Sequence, residues 1–300
     1  MISVARVARV LLTIALDPLE SVERIRERVT EGWERKHCAT PSYTSDDAWE
    51  RRLHELVGVP WPCPDQAVFE TLWADTVNSL RARGLDVGRQ VFGGWDDADP
   101  ALARAAWCLT LHLHPERAVE TGVARGLTTR FVLEAMERFG RGHLWSIDVP
   151  PMIERHLAAQ TGAAVPEHLR KRWTYILGSS RRRLHRLLAE IGPIELFLHD
   201  SMHTTRNVLF ELHAIWRVLT PGGAALIDDV DFNRGFALFT ARTSDADAVV
   251  GPADDRCRLV GAIRKRVSLR GLQPPPRKPI VELSEAVMPS TEKGPNSRIV

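Results

Sequence analysis

RAVETGVARGLTT, residues 117–129, decides how the chain is read. Ala118 and Val119 close a short apolar run, Glu120 stands at its carboxyl end, and Gly122 and Gly126 follow. An apolar segment with helical spacing then runs from Leu127 to Phe139. The order predicts strand, glycine turn, helix. Glycine has no Cβ, so the backbone of such a turn can approach a ligand closely. The free N–H groups of the helix start point the same way. The spacing is not G-x-G-x-x-G, so the pyrophosphate fingerprint of dinucleotide enzymes is not met. An acid ahead of the glycines suits a ligand with a cationic or hydroxyl-bearing group. Glycine turns also end many buried strands for structural reasons alone, so the rest of the chain has to decide.

Downstream, strands and helices alternate. Strands are expected at 118–120, 143–148, 173–177, 194–199 and 224–227. The helices between them are expected at 127–139, after Gly178-Ser179-Ser180 to Ile191, and at 205–219, the last closed by Pro221-Gly222-Gly223. Apolar runs at 248–250 and 259–263 make a terminal antiparallel pair. This pattern predicts an α/β fold, a doubly wound, mostly parallel seven-stranded Rossmann-like sheet covered on both faces.

Upstream, residues 1–95 read as an α-helical extension, 96–266 as the sheet domain and 267–300 as a Pro-rich tail, disordered or strapped over the surface. Charged residues surround Val22, Ile25 and Val29 at helical spacing. Ser45 and Asp46 can cap a helix holding Trp49, Leu53 and Leu56, and Asp65 a helix with Val68, Leu72 and Val77 inward. Pro100 opens a helix through Trp107 to His112. Trp145, Trp173 and Trp216 are expected in the core. The N-terminus, MISVARVARVLLTIALDP, reads as an amphipathic helix, with a secretory signal peptide as the lesser alternative: its apolar run ends at Asp17 and no A-x-A site follows. No run reaches membrane-spanning length. Hydrophobic residues make up 44% and charged residues 26%, ordinary for a soluble globular protein, and a formal charge of +2 does not by itself argue for nucleic acid. The basic stretch from Arg170 to Arg186 is local. Cys38, Cys63, Cys108 and Cys257 show neither C-x-x-C nor zinc-finger spacing, so reduced thiols and a cytoplasmic location are expected.

Open α/β sheets bind ligands beyond the carboxyl ends of their strands. Glu120, Asp148, Ser179, Asp200 and Asp228 all fall there. Asp148, 28 residues after Glu120, is placed to accept both hydroxyls of a ribose. Ser179 and Ser180 can bind an adenine edge or cap the next helix. Arg181 to Arg183 oppose the dipole of that helix, which fits an anionic partner or a solvated face.

These segments together, ETGVARG at 120–126, SID at 146–148, GSS at 178–180, HDSMH at 199–203, LTPGG at 219–223 and IDDVD at 227–231, resemble a class I S-adenosylmethionine-dependent methyltransferase over about 92–265. The first motif departs from the commoner E/D-x-G-x-G-x-G by placing Ala124 where a glycine often stands. By the resemblance, Glu120, Gly122, Gly126 and Thr128 would surround the methionine part of the cofactor, Asp148 its ribose, and Ser179 and Asp200 would complete the cofactor site. Asp200, Asp228 and Asp229 resemble the metal site of catechol-type and macrolide-sugar O-methyltransferases, where Mg²⁺ would hold and acidify a substrate hydroxyl. Without metal, Asp200 would orient the substrate and His203 act as base. His203 also stands just before the helix cap at Thr204. His199 falls on the opposite side of the strand and reads as packing.

The expected activity is methyl transfer to a hydroxyl of a small molecule or sugar-containing natural product. The helical extension would serve as lid or homo-oligomer contact. No membrane partner is expected, and the rim of acids disfavours nucleic acid. A non-catalytic binding module and a nicotinamide-dependent oxidoreductase are the alternatives, the latter opposed by the missing glycine fingerprint.

Overall fold

The computed structural model describes residues 17–39, 41–97, 99–151, 154–267 and 281–282. The amphipathic reading of 1–16 and most of the 267–300 tail lie outside the described residues.

Helix α1, Pro18–His37, begins where Asp17 accepts the Glu20 N–H at 3.1 Å, with Pro18 in the first turn. After a short strand β1, Ser42–Tyr43, come α2, Trp49–Val57, α3, Gln66–Ala82, and α4, Pro100–Leu113. Asp99 caps α4 through the Ala101 N–H at 2.8 Å. The caps expected for α2 and α3 differ. Asp46 accepts from Ala48 N at 2.9 Å, just ahead of α2, and Asp65 pairs with Arg138 at 3.3 Å instead of with the start of α3.

The alternating part follows as β2, Arg117–Thr121; α5, Leu127–Phe139; β3, His143–Asp148; α6, Arg155–Ala158; a 3-10 turn, Glu167–Arg172; β4, Trp173–Leu177; α7, Ser180–Ile191; β5, Ile194–His199; α8, Thr205–Trp216; β6, Leu219–Ile227; α9, Gly235–Arg242; β7, Ala246–Pro252; and β8, Leu259–Lys265. They build a seven-stranded sheet in the order β4-β3-β2-β5-β6-β8-β7. The first five strands in that order are parallel, and β8 runs antiparallel to both neighbours. The order reverses between β2 and β5, which opens a crevice at their carboxyl ends. Strand β9, Val281–Glu282, pairs antiparallel with β1. No described helix is long and apolar enough to cross a membrane.

One boundary differs from the sequence reading. Helix α8 stops at Trp216, and the Pro221-Gly222-Gly223 turn is absorbed into β6. The register against β5 jumps between Ile194↔Leu219 and Leu196↔Ala224, so the turn is a bulge within the strand, a place where proline costs no ladder bond.

Strand alternation splits the core into two layers. Ala118, Leu144, Leu196, Leu198, Ala224 and Leu226 pack with Trp49, Leu102, Leu109, Val132 and Met136 on one face. Val119, Ile147, Phe197, Ala225 and Ile227 pack with Leu184, Leu212, Ile215 and Phe236 on the other. The buried indoles are Trp107 and Trp49, while Trp145, Trp173 and Trp216 are only partly buried edge packers.

Candidate active site at the carboxyl ends of the strands

The glycine turn takes the expected conformation for a partly different reason. Gly122 has φ +86°, and a Cβ there would sit 1.8 Å from the carbonyl oxygen of Asp200. Gly126, φ +78°, faces Gly162 and Val165 at 3.1 and 3.2 Å. Both glycines therefore make room for neighbouring chain of this protein as well as shaping the turn. Ala124 adopts φ +46° without being glycine and supplies the left-handed residue that the commoner motif gives to a glycine. Gly126, the N-cap of α5, offers no side-chain cap, so the first-turn N–H groups of α5 lack a side-chain acceptor. Beside them Thr128 is buried with an Oγ1 that meets no hydrogen-bond partner.

Glu120 is 1% exposed and accepts hydrogen bonds from Thr129 Oγ1 at 2.8 Å and Ser146 Oγ at 2.6 Å. Burial pushes its pKa up to about 8 against those two donors, and the charges of Asp200 and Asp148 add to the rise. The three carboxylates thus share one electrostatic neighbourhood. Asp148 ends β3. Burial lifts it to about 6, opposed by the Val123 and Val149 N–H groups, by Tyr175 and by Arg24. Tyr175 Oη donates to it at 3.4 Å. Next to that tyrosine, Pro150, Ala158, Thr161, Trp173 and Leu177 line a hollow of about 380 Å³ on the edge-strand side.

Ser179 makes no side-chain cap hydrogen bond to α7. Its N–H and Oγ donate to Glu20 of α1 at 3.1 and 3.0 Å. Arg181 reaches Glu23 and Glu27, each at 3.2 Å, and Arg182 reaches Asp17 at 2.7 Å, so the anionic partner of this basic turn is α1 itself.

His203 lies between two acids. Its Nδ1 is 3.0 Å from Asp229 Oδ2 and its Nε2 3.7 Å from Asp200 Oδ1. Burial works against a charged ring, but the two carboxylates outweigh it and raise the His203 pKa well above the ordinary value. Asp229, at φ +50°, is lowered below the usual range despite burial, by His203 and then Arg258. Asp228 moves the other way: burial, then Asp229 and Asp200, push it well above the usual carboxylate range. His199, expected to pack on the opposite side of the strand, instead has its ring 5.5 Å from that of His203. It is 1% exposed, and its Nδ1 meets Glu211 at 2.7 Å. Glu211 also accepts from Thr121 at 2.6 Å.

As a magnesium site the acid trio fits poorly. Asp229 turns Oδ2 to His203 and Oδ1 to Arg258 at 3.6 Å. Among the described residues, the group of metal-ligating atoms drawn within 4.8 Å of one another lies elsewhere and includes none of these acids. The histidine between Asp200 and Asp229 already gives both acids a partner, and both favour its charged form.

Sequence reasoning missed how α1 is docked. Its acids face the rim. Glu27, 4% exposed, accepts from Thr204 Oγ1 at 2.6 Å and pairs with Arg181 and Arg206, and Glu34 accepts the Thr205 N–H at 2.8 Å. Arg24 donates to Pro150 O at 3.1 Å beside Asp148. Leu19, Val22, Ile25, Val29 and Trp33 are left on the exposed side. The alternation of acids and arginines between α1 and the 181–206 region was the available signal. A second missed element is Arg125, 3% exposed within the glycine turn. It pairs with Asp97 at 3.0 Å and donates to Val91 O and Asp86 O, tying the turn to the 86–97 loop.

Comparisons with known proteins recover the same fold. No curated protein matches the chain in sequence. Three solved structures share the fold at 13% identity. A protein from Klebsiella pneumoniae assigned as an O-methyltransferase has a TM-score of 0.51, covering 74% of this chain and 97% of its own. TomG from Streptomyces achromogenes, an O-methyltransferase of tomaymycin synthesis in complex with SAM, has 0.50, covering 65% and 90%. Cofactor-bound Rv0187 from MTB has 0.50, covering 66% and 91%. Residues 119–230, from β2 to just past His203 and Asp229, match the model of a methyltransferase domain family. Residues 119–230 thus match a methyltransferase domain family, and the chain shares the fold of these solved structures.

Proposed function

We propose that the protein transfers a methyl group from S-adenosylmethionine to a hydroxyl of a small molecule, a sugar-containing natural product being the class in view, with His203 as the base. The observation that carries this reading is the His203 imidazole held at Nδ1 by Asp229, 3.0 Å away, beside Asp200 at the switch point of the sheet. The cofactor fits the residues present. The orphaned Thr128 Oγ1 and the uncapped start of α5 offer donors to a carboxylate, and Asp148 offers an acceptor to ribose hydroxyls. When bound, the cofactor supplies an electrophilic methyl on a sulfonium. The chain's own work is to align, to exclude water and to remove one proton. Asp200 accepts and orients the acceptor hydroxyl, and neutral His203 takes its proton at Nε2. Asp229 fixes the ring and stabilises the imidazolium that results. Helix α1, bridging the starts of α7 and α8 through Glu20, Glu27 and Glu34, acts as the cover. Its outward stripe of Leu19, Val22, Ile25, Val29 and Trp33 supports a contact with a second copy, testable by light scattering on a Val22→Ser/Val29→Ser variant.

The test follows labelled methyl from the cofactor onto a panel of phenols and sugar alcohols, alongside calorimetry with S-adenosylhomocysteine. His203→Gln is expected to cut turnover by roughly 10²–10⁴-fold while product binding holds. Undiminished turnover in that variant ends the base assignment, and absence of cofactor-product binding ends the methyltransferase reading. Activity is expected to persist in EDTA. Loss in EDTA with recovery in Mg²⁺ would instead give the role to Asp200, Asp228 and Asp229.

A further inference from the structure

Away from the rim, four side chains from three separate segments of the chain meet in one place. They are His54 on α2, Cys63 in the loop between α2 and α3, and Cys108 and His112 on α4. Each offers one ligand atom, and all four atoms lie within 4.8 Å of one another. Cys63 Sγ is 3.3 Å from Cys108 Sγ and 3.4 Å from His112 Nε2. A tetrahedral Zn²⁺ with bonds of about 2.3 Å to sulfur and 2.0–2.1 Å to nitrogen sets edges of roughly 3.5–3.8 Å. The observed separations are near those edges and far beyond a disulfide bond of about 2.05 Å.

His54 provides an independent pointer. It is 2% exposed, its Nδ1 is committed to the Glu50 carbonyl at 2.7 Å, and its Nε2 is buried with no hydrogen-bond partner. A ring held through one nitrogen by a backbone carbonyl, with the other aimed into a cluster of thiols, is the usual posture of a metal-bound histidine. Cys108 and His112 stand four residues apart on one face of α4. Cys63 and Cys108 are 5% and 3% exposed, and Phe69, Ala103, Trp107 and Phe131 wall the cluster on the protein side. The Trp61 ring stands edge-on to His54 at 4.8 Å.

We propose that His54, Cys63, Cys108 and His112 bind one Zn²⁺ as a structural site that staples the helical extension to the sheet domain. Four protein ligands complete a tetrahedral shell and leave no open position for substrate, which separates a structural from a catalytic zinc. The position agrees. His112 lies at the end of α4, just before β2 begins at Arg117, whereas the rim residues lie at the opposite, carboxyl end of that strand. Binding converts both thiols to zinc-bound thiolates and releases two protons to solvent. The extension gains an anchor within a helical region whose own apolar core is small.

The test uses the full chain purified without chelators from zinc-supplemented cells. Elemental analysis is expected to find about one zinc per chain. Cobalt exchange is expected to give the thiolate charge-transfer band and intense visible bands of a tetrahedral site. Chelation is expected to lower the melting temperature by roughly 5–10 °C, restored by zinc. Cys108→Ser and His54→Gln should each lose the bound zinc, while Asp148→Ala keeps it. Zinc-free protein with four reactive thiols, a Cys63–Cys108 disulfide in non-reducing peptide maps, or full zinc content in a Cys63→Ser/Cys108→Ser variant would each overturn the proposal. The wild-type measurements stand even if a variant does not fold.

Discussion

Gly122 lies against the carbonyl of Asp200, so close that any Cβ at position 122 would stand 1.8 Å from that oxygen and 2.9 Å from the Ser201 nitrogen. The turn after β2 and the turn after β5 can share the switch-point crevice only because one of them carries no side chain. Gly122→Ala, at φ +86° as well, is expected to cost more than about 3 kcal/mol and to displace Asp200. Gly126→Ala, whose nearest contact is 3.1 Å, should cost less. Denaturant midpoints for the two variants check the ranking, and equal midpoints would contradict the packing described.

The His203 pair has a definite pH signature. Its folded-state pKa is raised, chiefly by Asp200 and Asp229 acting against burial. The stability it contributes is present in full below about pH 6.5 and is lost as pH rises through the raised value. With His203 as the proposed base, turnover is expected to run the other way, because the base form appears only above that value. Asp229→Asn is expected to move the rising limb of the rate profile to lower pH and to lower its plateau. A limb that stays put would detach His203 from the rate.

Asp148→Ala should weaken S-adenosylhomocysteine binding roughly 10- to 100-fold, the effect of losing a charged acceptor worth about 1.5–3 kcal/mol. Because burial lifts Asp148 to about 6, wild-type affinity should also fall as pH drops through that value, and the variant's should not. Calorimetry across pH reads both effects.

Glu120 carries a linkage of the same sign, with burial as its chief cause. With its folded pKa near 8 against an ordinary 4.5, the native state loses stability as pH rises from about 4.5 to 8. Gln at this position keeps an oxygen for Ser146 and Thr129 without the charge. Glu120→Gln should match wild type near pH 4 and exceed it above pH 8 by a few kcal/mol at most, since a tenfold change in proton affinity is worth about 1.4 kcal/mol. Thermal melts of cofactor-free protein give the comparison, and parallel curves would rule the effect out.

Glu27→Ala leaves Arg181 and Arg206 facing each other with one acid fewer and strips the acceptor from Thr204. A loss of about 3 kcal/mol is expected, with faster amide exchange confined mainly to 18–37. Exchange that speeds up across the sheet instead would show α1 to be part of the core rather than a cover.

What the sequence disclosed followed from period and punctuation. Strand alternation, glycine at 122 and 126, and acids at strand ends are local signals, and they located the sheet, the switch point and the Asp200–His203 neighbourhood. Long-range features stayed hidden. Nothing local about Pro221-Gly222-Gly223 says bulge rather than turn, because the partner strand sets the register. The docking of the acids of α1 stayed hidden, because the arginines that meet them lie some 150 residues onward. The thiols and imidazoles at 54, 63, 108 and 112 carried one short-range hint, the four-residue spacing of Cys108 and His112 on a helix, and only folding brings in the other two.

The small ladder between Ser42–Tyr43 and Val281–Glu282 is a seam joining distant stretches of chain. Tyr43, held in it, sends its hydroxyl to the carbonyl of Val230 at 3.1 Å and rests edge-on against Phe236. Val230 directly follows Asp229. The backbone that aims the histidine's partner is therefore braced from beneath by two residues more than fifty positions downstream, and removing Val281 and Glu282 is expected to be felt at the proposed proton-transfer pair.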